Sequence, residues 1–124
     1  MKLTVKYVYV KVNALETART FFEEILGFEQ LLTKFDLPGE HIVLKSGKSN
    51  TNIILLETKK KPVNAKLVIA SEDCIKDYFK LKSSGVVFAS SPTYIKEGLI
   101  AEFVDPFGNE YSLLEERDYQ FGYL

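Results

Sequence analysis

Residues 103–115, Phe-Val-Asp-Pro-Phe-Gly-Asn-Glu-Tyr-Ser-Leu-Leu-Glu, read as strand, turn and strand. Pro106 sets φ for the first central position of a type I turn, Asp105 can bond the backbone two residues on, and Gly108 tolerates positive φ. After the turn, Tyr111 and Leu113 point to one face of a strand, and Glu110, Ser112 and Leu114 to the other. The end of this stretch occurs twice. An offset of 58 residues lays Leu113-Leu-Glu115 on Leu55-Leu-Glu57. Without a gap it also lays Val63 on Val5, Val68 on Val10, Phe79 on Phe21, Gly85 on Gly27 and Ile100 on Ile42. Coincidences on strand cores, a helix face and a helix-ending glycine point to two copies of one supersecondary unit.

A chain of 124 residues has room for one domain with a real core. The expected organisation is a single domain, 1–124, with units at 1–58 and 63–116 and a tail at 117–124. The net charge of −1 gives no electrostatic footprint for nucleic acid or an anionic membrane, and no apolar run approaches membrane-spanning length. The single cysteine rules out an internal disulfide framework and suits a reducing compartment. The first residues alternate like a strand and lack a signal peptide's apolar block. The expectation is therefore a cytoplasmic protein.

Thr4–Val12 alternates as a strand, with Val8, Val10 and Val12 turned to a helix and Tyr7, Tyr9 and Lys11 away from it. The helix is expected over Leu15–Leu26, capped by Asn13 with Glu16 and ended by Gly27. Strands follow at Phe28–Phe35, His41–Lys45 and Thr51–Glu57, the second preceded by a turn at Asp36–Gly39. Thr58–Pro62 is a linker whose lysines are read as solvated. The second unit repeats the order: a strand at Val63–Ala70, a helix at Glu72–Ser84 capped by Ser71 and ended by Gly85, then strands at Val86–Ala89, Leu99–Val104 and Glu110–Glu115. Residues 93–98 read as a polar connection. The second helix should bury a stripe of Cys74, Ile75, Tyr78, Phe79 and Leu81. In the tail, Tyr119, Phe121 and Tyr123 alternate, and such apolar surface is expected to pack on the domain or on a partner.

A tandem β-α-β-β-β pair with these marks resembles the vicinal oxygen chelate superfamily of glyoxalases, bleomycin and fosfomycin resistance proteins and extradiol dioxygenases. The first mark is Val10-Lys-Val12, Leu15-Glu-Thr-Ala18, Phe21-Phe22 and Leu26-Gly27-Phe28. Gly85-Val86 with Pro92 downstream is the second. The third and most specific is Phe103-Val-Asp-Pro-Phe-Gly-Asn109. The resemblance implies an α+β fold in which the two units form a curved mixed sheet, a half-open barrel with helices on its convex face and the ligand in its concave cup. It also implies a homodimer. With the valines turned to the helix, the cup residues are Tyr7, Tyr9, Lys11, Ile54, Leu56, Ala65, Leu67, Glu110 and Ser112.

Enzymes of this superfamily hold a divalent metal on a His or Gln early in the first strand of each unit and a Glu in the last. Carried onto this sequence, those positions are Tyr7, Ala65, Ile54 and Ser112. Alanine and isoleucine cannot bind a metal, serine is a poor ligand, and a phenol is a weak one unless ionised. The expectation is no metal and no cofactor. The cup then resembles that of bleomycin resistance proteins, with Tyr7 and Tyr9 stacking on a planar molecule and Glu110 pairing with a cationic one. Catalytic residues cannot be named. Two rivals stand beside this reading. One is a lyase, isomerase or dioxygenase of the same fold, metal-free through Tyr7 or with a metal on His41 and Glu110. The other is an interaction module that uses the aromatic tail.

Other candidates read as structural. His41 begins a strand beside a turn and is expected on the surface. Cys74 is expected to be an inert core thiol, although a helix start favours a thiolate. Glu57 and Glu115 are expected to face solvent. Gly47-Lys48-Ser49 lacks the earlier glycine of a phosphate-binding loop, since position 42 is Ile. One histidine without a supporting motif makes no nucleophile triad.

Overall fold

A computed structural model of the chain describes residues 1–33, 35–37, 39–60 and 64–117. The expected tail aromatics, Lys34 of the strand expected over Phe28–Phe35, Pro38 of the expected turn, Lys61 and Pro62 of the linker and Val63 of the strand expected to open the second unit lie outside the described residues. The chain divides into two compact units, Met1–Ala65 and Lys66–Leu124.

In the first unit, β1 (Tyr7–Val12) leads into α1 (Leu15–Arg19), which continues as a π-helical segment over Thr20–Ile25. Then come β2 (Glu29–Leu31), β3 (His41–Lys45) and β4 (Asn52–Glu57). The strand order is β1-β4-β3-β2, with β1 parallel to β4 and the other pairs antiparallel. The second unit runs β5 (Lys66–Ala70), α2 (Cys74–Ser83), β6 (Val87–Phe88), β7 (Thr93–Ile95), β8 (Gly98–Val104) and β9 (Glu110–Glu116). Its order, β5-β9-β8-β6, is the same, and β7 adds a hairpin on β8. The α+β class and the tandem βαβββ plan are as the sequence implies. Residues 93–95, expected in a connection, form β7 instead. The strand expected over Phe28–Phe35 is reduced to three residues.

Each sheet buries one face under its own helix. In the first unit Val10, Val12, Ile42, Leu44, Ile53 and Leu55 are buried with Ala18, Phe21 and Phe22. In the second, Leu99, Ala101, Phe103, Tyr111 and Leu113 are buried with Cys74 and Tyr78. The stripe expected on α2 is narrower than its sequence, because Ile75 and Phe79 are exposed.

The two helix starts are held alike. The Leu15 N–H donates to Glu57 Oε2 at 3.0 Å, and the Cys74 N–H to Glu115 Oε1 at 2.8 Å. The repeated Leu-Leu-Glu thus supplies each helix with a carboxylate from the neighbouring last strand, satisfying an N–H that a helix leaves open and placing negative charge at the positive end of its dipole. These glutamates do not simply face solvent, as the sequence suggested. The expected caps also differ. Ala14 occupies the first N-cap position without a side-chain bond, so Glu57 takes the part assigned to Asn13. Asp73, not Ser71, is the second cap and accepts from Lys76 N–H at 3.0 Å. Ser71 instead donates to Asp77 Oδ2 at 2.6 Å.

Removal of one such carboxylate should weaken its helix start. Glu57→Ala is expected to lose about 1 kcal/mol, the usual worth of a cap, read from urea unfolding. For Glu115 the effect should follow pH. Its hydrogen bond from Arg117, and then that from the Cys74 N–H, hold its carboxyl below the ordinary value. A carboxyl held lower in the folded state stabilises the fold above the ordinary carboxylate range, and that contribution disappears as pH falls through the lowered value. Glu115→Gln should therefore flatten the acid side of the stability curve. An unchanged acid limb would refute the role.

These bonds also show the true correspondence of the units. Leu15 matches Cys74, an offset of 59, whereas Gly27 and Gly85 keep the offset of 58, with φ of +78° and +93°. The extra residue of the first helix is absorbed where the bonding becomes π-helical, with Leu26 N–H bonded to Phe21 O at 3.0 Å. The gap-free alignment is therefore out of phase ahead of that segment. Val10 is fully buried while Val68 is 65% exposed, and Phe21 and Phe79 are 5% and 60% exposed. The duplication stands, but those identities are not structural equivalents.

Candidate functional site

Most of the candidate residues lie on the face of each sheet turned away from its helix. In the first unit the register pairs Tyr7 with Asn52, Tyr9 with Ile54 and Lys11 with Leu56, and across β3 it pairs Val43 with Ile54 and His41 with Leu56. Side chains of paired positions share a face, so Tyr7, Tyr9, Lys11, Ile54 and Leu56 stand together as expected, joined by His41, Val43 and Asn52. Tyr9 is half exposed and Ile54 buried.

Phe35 covers part of this face. Its ring lies edge-on to Tyr7, with centroids 5.0 Å apart, and 6.4 Å from the His41 ring. Its N–H donates to His41 Nε2 at 3.0 Å, while His41 Nδ1 lies 3.3 Å from Gly39 O. A neutral ring with its proton on Nδ1 satisfies both contacts. His41 is therefore not the surface residue its place beside a turn suggested; it is 5% exposed and latches residues 35 and 39. Asn52 Oδ1 is buried with no hydrogen-bond partner, the only such side-chain atom among the described residues. A buried acceptor without a donor costs about 1–3 kcal/mol. Nothing in the sequence pattern marks Asn52. Only its register beside Tyr7 does.

In the second unit the register pairs Lys66 with Glu110, Leu67 with Tyr111 and Val68 with Ser112. Glu110 and Ser112 stand on the face away from the helix, as expected. Leu67 does not join them, because it shares the face of the buried Tyr111. Ala65 precedes the strand. The positions beside Glu110 and Ser112 are Lys66 and Val68, with Glu102 opposite Ser112 on β8. The cause is the one-residue phase difference between the units: a one-residue slip moves every strand side chain to the other face.

The most distinctive motif builds a rigid turn. Asp105 Oδ1 accepts from Phe107 N–H at 2.8 Å and Asn109 N–H at 3.0 Å. Its Oδ2 accepts from Asn109 Nδ2 at 2.8 Å and from the Tyr111 hydroxyl at 2.7 Å. Burial, then the Asp105 charge, push the Tyr111 phenol far above its ordinary value, so it is a hydrogen-bond donor and not a titrating group. Cys74 is likewise inert: burial, then the charges of Glu115, Asp77 and Asp73, raise its thiol, and it sits against the Leu113 carbonyl at 3.6 Å.

By strand register the first-strand metal position of unit two falls on Lys66 in place of Ala65, while the other three positions remain Tyr7, Ile54 and Ser112. An ammonium is no better a metal ligand than a methyl group. Among the described residues, no three His, Cys, Asp or Glu side chains are grouped to hold a metal ion, and no helix is long and apolar enough to cross a membrane.

The chain is similar to several solved structures. The TnmS3 antibiotic binding protein of Streptomyces sp. CB03234 superposes with a TM-score of 0.83 at 24% identity, over 94% of this chain and 98% of that one. A glyoxalase/bleomycin resistance protein/dioxygenase superfamily member from Sphaerobacter thermophilus DSM 20745 gives 0.80 at 24% identity, over 93% and 98%. A glyoxalase/bleomycin resistance protein from Streptomyces sp. CB03234 gives 0.77 at 24% identity, over 90% and 100%. At such identities the likeness is one of fold. No curated protein matches. The family model for the glyoxalase/bleomycin resistance protein/dioxygenase superfamily matches residues 4–113. With nearly its whole length so matched, the chain belongs to that superfamily.

Proposed function

We propose that the protein binds a small aromatic or cationic molecule without a metal, in the manner of a bleomycin resistance protein, and acts by sequestration. The observation that carries the reading is the set of residues at the four superfamily ligand positions, Tyr7, Ile54, Lys66 and Ser112, which offers neither imidazole nor carboxylate. An aromatic bed of Tyr7 and Tyr9 suits a planar ring, and Glu110 suits a cation. The antibiotic-binding neighbour of the same fold favours this reading over an enzymatic one. We further propose a single cytoplasmic domain that works as a homodimer, with neither nucleic acid nor membrane as a partner.

Two measurements test this. Metal analysis of untagged protein, after incubation with Mn, Ni, Fe and Zn and then dialysis, should find less than about 0.1 metal per chain. Near-stoichiometric metal would move an enzyme of the same fold to the front. Titration of aromatic cationic drugs, followed by tyrosine emission in this tryptophan-free chain, should give saturable binding. Tyr7→Ala and Tyr9→Ala should each weaken it about tenfold, the worth of one aromatic contact, with the far-UV spectrum unchanged. Affinity unchanged from wild type in both variants would sink the pocket assignment.

A further inference from the structure

We infer that Asn52 and Phe35 form a ligand-sensing pair on the open face of the first sheet, and that this subsite takes a flat aromatic ring carrying a hydrogen-bond donor. The inference deepens the proposed function and rests on it. Three observations meet at one place. Asn52 Oδ1 is buried and has no donor. Its register partner is Tyr7. Against Tyr7, edge-on at 5.0 Å, lies the ring of Phe35.

Native proteins rarely leave a buried side-chain acceptor unpaired, and such a group calls for an explanation. A ligand donor would supply the missing bond, yet with Oδ1 buried no ligand can reach it until a neighbour moves. We take the moving group to be Phe35, which packs on Tyr7, the register partner of Asn52. Phe35 belongs to neither β2 nor β3, and its backbone is held through its N–H to His41 Nε2 at 3.0 Å. An aromatic ligand would displace the Phe35 ring, take over its contact with Tyr7 and donate to Asn52. Phe35 thus stands in for the ligand while the face is empty. Rings without a donor would displace Phe35 and still leave Oδ1 unpaired, so the site should discriminate against them.

Indole and indene have nearly the same shape, but only indole has an N–H. Heteronuclear NMR titration of the full chain should show indole binding about tenfold more tightly than indene, the usual worth of one hydrogen bond, with shifts centred on Tyr7 and the Asn52 amide. Asn52→Leu should bind both probes with equal affinity, and Asn52→Asp, which keeps the acceptor, should keep the preference for indole. Phe35→Ala should bind both probes more tightly than wild type with their ratio intact. Should Asn52→Leu fail to fold, the wild-type ratio and the Asn52→Asp and Phe35→Ala variants still decide. Equal affinities in wild type, a preference that survives Asn52→Leu or is lost in Asn52→Asp, tighter binding absent in Phe35→Ala, or no binding of either probe would each overturn the inference. A metal-free protein that binds aromatic drugs but ignores Asn52 and Phe35 keeps the proposed function and loses only this subsite. Stoichiometric metal removes the proposed function whatever indole does.

Discussion

Asp105→Ala is expected to lower the stability of the fold by about 4 kcal/mol, at the upper end for a single substitution. The side chain is buried and accepts four hydrogen bonds, two from backbone N–H groups and one each from Asn109 Nδ2 and the Tyr111 hydroxyl. Alanine leaves those donors in a site that water cannot readily refill, and each stranded donor costs about 1–3 kcal/mol before relaxation. Asp105→Asn should cost roughly half as much: one oxygen still serves the backbone, while its amide meets the Asn109 amide donor to donor. Tyr111→Phe removes a single donor and should cost about 1 kcal/mol. Urea unfolding should show this order, with midpoints falling at constant slope. A change within 1 kcal/mol for Asp105→Ala would mean that the motif is not what holds the turn.

An effect as large is expected at Gly98, where β8 begins. Its φ is +149°, and a Cβ placed there would stand 2.0 Å from the Glu115 carbonyl oxygen and 2.9 Å from Arg117 N. Both contacts are backbone, one in β9 and one in the residue that follows it, so neither can rotate away. Gly98→Ala should open the β8–β9 pairing at this end and cost about 3 kcal/mol or more. Gly47 is the control. It also has positive φ, +55°, but nothing lies within 4 Å of its Cβ position, so alanine there should cost only about 1–2 kcal/mol of backbone strain. Thermal melts of the two variants side by side would decide. Equal losses would show that conformation, not the close approach, governs Gly98.

The turn, the duplicated units and most strand positions were legible because they rest on local chemistry: Asp, Pro and Gly at fixed offsets, and valines alternating along β1. What failed to show were features made between elements. Glu57 and Glu115 looked solvent-facing because their partners, Leu15 and Cys74, lie far away in sequence. His41 looked exposed because the return of Phe35 over its ring is tertiary. Residues 93–95, Thr-Tyr-Ile, looked like a connection because the polar Lys96-Glu97-Gly98 follows them, although they are strand formers and pair with β8. The candidate site was half legible for the same reason. On β1 and β4 the alternation placed Tyr7, Tyr9, Lys11, Ile54 and Leu56 on one face. On β5 the offset borrowed from the first unit assigned Leu67 to the face that Val68 holds.

The π-helical segment at Thr20–Ile25 explains how the two halves could drift apart in length and remain architectural twins. An added residue in a strand inverts everything beyond it, trading core for surface. Lodged in a helix and taken up as one wide turn, it leaves Gly27 to end the helix as Gly85 does, and the strands that follow are free to pair as before. What the halves share is best described as a common wiring of hydrogen bonds, glutamate to helix start and strand to strand, across which residue numbering slides.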